Sequence, residues 1–151
     1  MSPEQKAYIA GETGKTYRSG WLLVDQPLIQ RFADTTRDWN FIHVDPEKAA
    51  QTAYGTTIAH GFLVLSLLAP LRADTDRPVF PGFSVGVNYG FERQRFIAPV
   101  RSGSRIRAAF TVDGIEEVSE GRFREAQGTV IEIEGEERPA VVATWLTMYL
   151  V

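Results

Sequence analysis

The sequence predicts an α+β protein in which a long antiparallel sheet wraps around one buried central α-helix. Three observations predict it. First, His60-Gly61-Phe62-Leu63-Val64-Leu65-Ser66-Leu67-Leu68-Ala69 is apolar on every side except at Ser66, and a helix that is apolar all round is a buried one. Second, Phe83, Val85, Val87, Tyr89 and Phe91 alternate with Ser84, Gly86, Asn88 and Gly90, the period of a strand with two unlike faces. Third, Ile106, Ala108, Phe110 and Val112 alternate against Arg105, Arg107 and Thr111. Two more strands follow, near 122–134 and 140–150, joined by a turn at Gly135-Glu136-Glu137.

The remaining elements follow in chain order. Residues 1–16 are polar, with no apolar signal core. A short strand is expected over 19–24. Asp25 has the chemistry of an N-cap, and Pro27 sits early in the first turn of a helix reaching about Thr36. Leu28, Ile29 and Phe32 give that helix a partial apolar stripe. Residues 37–44 read as loop. Asp45-Pro46 starts a second, short helix to about Thr52, because proline at the first helical position loses no hydrogen bond. Tyr54-Gly55-Thr56-Thr57 is a turn. Pro70 ends or bends the apolar helix. The small residues at 84, 86, 88 and 90 would let another backbone come close, the central helix being the natural one.

The 151 residues form a single domain, 1–151, with no repeat and no linker. A formal charge of -3 argues against a general nucleic-acid binder. The absence of cysteine excludes disulfides, thiolate nucleophiles and cysteine metal sites. The longest apolar run, 62–71, is too short to span a bilayer, so a cytoplasmic protein is expected. The only two histidines, His43 and His60, are joined to carboxylates by no paired-ligand motif, and no metal site is expected.

Chemistry concentrates in 38–61. Asp38 and His43 lie five positions apart, just upstream of the apolar helix that His60-Gly61 opens. A carboxylate and an imidazole beside the N–H groups of a helix start point to proton chemistry on a bound carbonyl compound. Other residues carry two readings each. Asn40 either braces the loop or contacts substrate. Ser66 either bonds its own helix carbonyl four residues back or enters the site. His60 and Asn88 read as supporting residues around the pair. Asp45 reads as a cap and Asp34 as a helix-surface carboxylate. Arg93, Arg95, Arg101, Arg105 and Arg107 form either a solvated strand edge or a phosphate-binding cluster.

Phe32-Ala33-Asp34, Asp38-x-Asn40-x-x-His43, Ala49, His60-Gly61, Ser66, Asn88-Tyr89-Gly90 and Arg95-Phe96-x-Ala98-Pro99-Val100 resemble the MaoC-like, or R-specific enoyl-CoA hydratase, family, in particular its single-domain, nodulation-protein-N-like branch. The resemblance spans roughly 20–150. It implies a hot-dog fold and reversible syn addition of water to a trans-2-enoyl thioester. Asp38 and His43 would be catalytic, with Asp38 drawing a proton from water and His43 orienting that water and returning a proton to C2. The Gly61 N–H would receive the thioester oxygen, helped by Ser66 and Asn40, with His60 and Asn88 behind them. It implies no cofactor beyond the coenzyme A or acyl carrier protein on the substrate, and a homodimer with an acyl tunnel near its interface. Two positions depart from the pattern: Arg37 stands where a glycine commonly precedes the aspartate, and Phe41 replaces a common proline. If that glycine supports positive φ, Arg37 must adopt a left-handed state or reshape the loop.

Two other functions share the fold. A hot-dog thioesterase would use a carboxylate to direct water at the thioester carbonyl. A non-catalytic acyl-binding module would keep the fold without the chemistry.

Overall fold

The computed structural model describes residues 1–151. Six helices and six strands follow one another as α1 (Pro3–Glu12), β1 (Thr16–Arg18), β2 (Leu22–Val24), α2 (Gln26–Thr36), α3 (Phe41–Val44), α4 (Pro46–Ala49), α5 (Gly61–Ser66), α6 (Leu68–Ala73), β3 (Val85–Phe96), β4 (Ser104–Ser119), β5 (Arg122–Ile133) and β6 (Val141–Leu150). The strands make one antiparallel sheet in the order β1-β4-β5-β6-β3, with β2 also on β4. Its inner face packs Ile106, Ala108, Phe110, Ile131, Val141 and Trp145 against Leu63, Val64, Leu68 and Leu71 of α5 and α6. No helix is long and apolar enough to cross a membrane.

Several expectations are corrected. The polar N-terminus forms α1, because Ser2 and Gln5 make a reciprocal capping box and Pro3 occupies the first turn. The strand expected over 19–24 is two. Between Arg18↔Ala109 and Leu22↔Ile106, three residues face two on β4, a bulge that bends the edge. Part of the expected loop over 37–44 is helical, since the Asn40 side chain caps α3 by accepting from the Ile42 N–H.

The expected long central helix is interrupted at Leu67. Pro70 has no N–H to give the Ser66 carbonyl four residues earlier, and its ring crowds that carbonyl. The break therefore falls upstream of the proline, and the chain stays helical to Ala73. Nor is this helix buried all round: Phe62 is 70% exposed, and Ser66, Ala69 and Pro70 also face out.

The row of small residues on β3 does not receive the helix. A Cβ at Gly90 would meet nothing within 4 Å, and one at Gly86 would meet only side chains, nearest the Phe83 ring at 3.1 Å. β3 pairs with β6 alone, so its other edge is free within the chain. Phe83, Val85, Val87, Tyr89 and Phe91 are all exposed there.

Arg37, at the end of α2, has φ 62 and ψ 27, the left-handed state its replacement of a glycine required. A side chain with a Cβ pays about 1–2 kcal/mol in that state, and glycine loses part of this advantage to its freer unfolded chain. Arg37→Gly is therefore expected to stabilise the protein by about 0.5–1 kcal/mol, read as a rise in melting temperature.

Candidate active site

The left-handed turn at Arg37 directs the chain away from α2 and into Asp38-Trp39-Asn40. Three contacts hold this loop. The Asp38 carbonyl accepts from His60 Nε2 at 2.9 Å. The Asp38 side chain accepts from the Asn40 N–H at 3.3 Å. Trp39 Nε1 donates to Asp34 at 2.8 Å, which, with a bond from Gln30, holds the Asp34 carboxyl below its usual range. Asp34 is thus a loop anchor as well as a surface carboxylate.

The cap on α3 then places His43 in the interior. Its Nδ1 lies 2.7 Å from the Ile58 carbonyl oxygen. A carbonyl can only accept, so Nδ1 carries the proton, and in the neutral ring the lone pair is on Nε2. Burial is the main force on this group and pushes the His43 pKa below the ordinary imidazole value; His60 pushes the same way, while the Ile58 bond and Asp38 oppose it. The His43 carbonyl is held by Gln26 Nε2 at 2.7 Å, and Gln26 Oε1 accepts the Thr57 hydroxyl at 2.6 Å. Sequence reading missed Gln26 and Thr57, because only the tertiary fold brings the start of α2 beside the 57–60 segment.

His43 and His60 stack with centroids 3.8 Å apart and planes inclined by 26°, and Phe32 packs against the far side of His60 at 5.0 Å. One nitrogen of each ring and a carboxylate oxygen of Asp38 lie within 4.8 Å of one another. This span suits one water, since two hydrogen bonds of about 2.8 Å cover it. It does not suit one metal ion. Rings 3.8 Å apart with planes inclined by 26° converge far beyond the roughly 2.1 Å of a metal–imidazole bond. Both imidazoles are buried, whereas the Asp38 side chain is about half exposed.

Gly61 opens α5 beside this cluster. A Cβ there would lie 2.9 Å from the Phe96 ring, so the glycine is needed for the close approach of Phe96 as well. Gly61, Ile58, Phe62 and Phe96 line an apolar cavity of about 410 Å³. Asn40, Asp38, His43 and His60 are thus brought together, with Gly61 next to them. Ser66 and Asn88 are not. Ser66 is exposed and its hydroxyl donates to the Phe62 carbonyl at 2.7 Å, the local bond its position on a helix allowed. Asn88, on β3, lines a different and larger cavity. Among the arginines, Arg101, Arg105 and Arg107 pair with Glu136, Glu134 and Glu132. Arg93 and Arg95 have no carboxylate partner.

A sheet curved over a broken helix, with an Asp/His loop at the helix start, is a hot-dog architecture built around a polar site. An (R)-hydratase from A. caviae involved in PHA biosynthesis superimposes with a TM-score of 0.73 at 26% identity, over 90% of this chain and 95% of that one. The MaoC like domain model matches residues 9–134, and the chain belongs to this MaoC-like dehydratase family. It is 41% identical over 144 residues to 3-hydroxyacyl-thioester dehydratase Z of Mycobacterium tuberculosis, covering 95% of this chain and 93% of the relative. It is 45% identical over 147 residues to nodulation protein N of Rhizobium leguminosarum bv. viciae, covering 93% and 85%.

Proposed function

We propose that the protein is an R-specific enoyl-CoA hydratase, working in reverse as a 3-hydroxyacyl thioester dehydratase. The observation that carries this reading is the approach of Asp38 and His43 to within the span of one shared water. The water donates one O–H to Asp38 and the other to the Nε2 lone pair of His43. Its oxygen bonds to C3 of the trans-2-enoyl thioester as the π electrons move toward the thioester oxygen, which the Gly61 N–H receives.

The tautomer refines the division of labour expected from the sequence. Nε2 of His43 has no proton to give until it has taken one from the water. His43 therefore both takes that proton and returns it to C2 on the same face, giving syn addition. Asp38 holds the water and offsets the transient imidazolium charge. The second water proton stays on the new hydroxyl, so the step balances.

The test uses crotonyl-CoA. Loss of enoyl absorbance, with an (R)-3-hydroxyacyl product on chiral analysis, is expected. Free thiol released while the conjugated double bond persists would instead assign a thioesterase, and turnover of neither kind would assign a binding module. We place the phosphates of coenzyme A near Arg93 and Arg95, the two arginines of the cluster left without carboxylates.

Catalysis by neutral His43 sets a pH dependence. Because burial depresses its pKa, the acid limb of kcat/KM is expected below the ordinary histidine value of about 6.5. The same shift acts on folding. The unfolded chain takes up this proton first as pH falls, so stability is full above about 6.5 and is lost toward the lower folded pKa. An acid limb above that value would remove His43 from the role.

The exposed apolar face and unpaired edge of β3 support a homodimer, since pairing would cover both. Light scattering at micromolar concentration is expected to give twice the chain mass.

A further inference from the structure

A cavity of about 690 Å³ lies at the far end of α6 from the Asp38–His43 pair, which does not line it. Arg72 follows Gly61 by eleven residues, at most about 16 Å along a helix. The cavity is within the size range of small-molecule sites, and much of its wall is apolar, including Ala69, Val79, Phe80 and Val87. We propose that it binds the carboxylate end of an aliphatic chain.

Two features define that ligand. The first is a set of buried donors without acceptors. The Arg77 side chain is fully buried; its Nη1 is paired with Glu125 Oε1 at 2.5 Å and its Nε lies 3.9 Å from Glu12, but Nη2 has no partner. Trp145 Nε1 and Thr147 Oγ1 are buried and unpartnered in the same wall. Folded proteins seldom leave such groups unmet. A carboxylate, which only accepts and has about four lone-pair sites, can satisfy several at once.

The second feature is charge. Arg72 and Arg77 are the only charged residues lining the cavity. Arg77 is offset by Glu125, and the Glu12 carboxylate 3.9 Å from its Nε is held on its other oxygen by Lys15 at 2.8 Å. Arg72 faces only neutral partners, Gln127 at 3.2 Å and Thr75 at 3.2 Å. Arg72 is thus the charged lining residue without a carboxylate partner, which suits a monoanion and disfavours an amine. Such a carboxylate has two sources: a free fatty acid, or the distal end of a dicarboxylic acyl thioester. The second source rests on the hydratase reading above.

Calorimetric titration with decanoate, and with decanol as the uncharged control, tests the site. Decanoate is expected to bind at least tenfold tighter than decanol, and Arg72→Gln to remove that difference while keeping the melting temperature. Trp145→Phe/Thr147→Val is expected to weaken decanoate with the charge intact. Equal binding of the two probes, no binding of either, or an unchanged preference in Arg72→Gln overturns the proposal.

Kinetics then separate the sources. If the substrate supplies the carboxylate, Arg72→Gln lowers kcat/KM at least tenfold for a medium-length enoyl-CoA ending in carboxylate, but not for crotonyl-CoA. If a free fatty acid supplies it, both substrates are unaffected and only decanoate binding is lost. A wild-type protein inert toward crotonyl-CoA sinks the hydratase reading and leaves the titration standing.

Discussion

Asp38→Asn is expected to lower crotonyl-CoA hydration by about 10²- to 10⁴-fold without changing the melting temperature. The substitution keeps shape and removes the negative charge that holds the water and offsets the imidazolium. The fold should not notice it. The Asp38 side chain is about half exposed, and the contact that fixes the loop to His60 uses the backbone carbonyl, which asparagine retains. His43→Ala is expected to be similarly damaging. The double variant should fall far short of the product of the two, because residues acting on one water act as a unit. Turnover of the Asn variant within a few-fold of wild type would remove Asp38 from the chemistry.

Arg77→Leu is expected to have the largest effect on stability. Arg77 and Glu125 are both fully buried, with Nη1 2.5 Å from Oε1, and the Tyr149 hydroxyl donates to the other Glu125 oxygen. Burial and the neighbouring Glu125 together hold the Tyr149 hydroxyl well above its usual pKa, so it remains a donor. Removing the guanidinium leaves a carboxylate with no counter-charge in the interior, at a cost of about 3–5 kcal/mol. That is a large share of the roughly 5–15 kcal/mol that stabilises a domain, and it lowers the melting temperature by about 10 °C or more. Arg77→Leu/Glu125→Leu should recover most of the loss, since replacing both partners by apolar groups is often neutral. Denaturant melts of the single and double variants measure this. A single variant no less stable than the double would show that the pair does not hold this region together.

The parts of the fold that were legible in the sequence are those fixed by local physics. Asp25 caps α2 as its side chain requires, the alternation over 105–112 follows the pleat of β4, and Asp38, His43 and His60 converge as one loop and one helix start. α1 was missed although its capping box was written in Ser2 and Gln5, because the signal occupies four residues in an otherwise polar stretch. On β5, Glu125, Gln127 and Thr129 lie on the buried face with Phe123 and Ile131. Their polarity gave no hint of burial, since it is compensated by Arg77 and Arg72 from the chain between α5 and β3.

By itself the sequence determined the architecture, the family and the loop that bears the acid and the imidazole, because caps, periodicity and short spacings act over a few residues. Only the tertiary structure decided the rest. It set which nitrogen of His43 holds the proton, through a carbonyl fifteen residues away. It turned Ser66 out and left Asn88 in another cavity. It also gathered Arg72, Arg77, Trp145 and Thr147 around one space. These are contacts between distant segments, and their geometry depends on how helix and sheet pack, which no local pattern encodes.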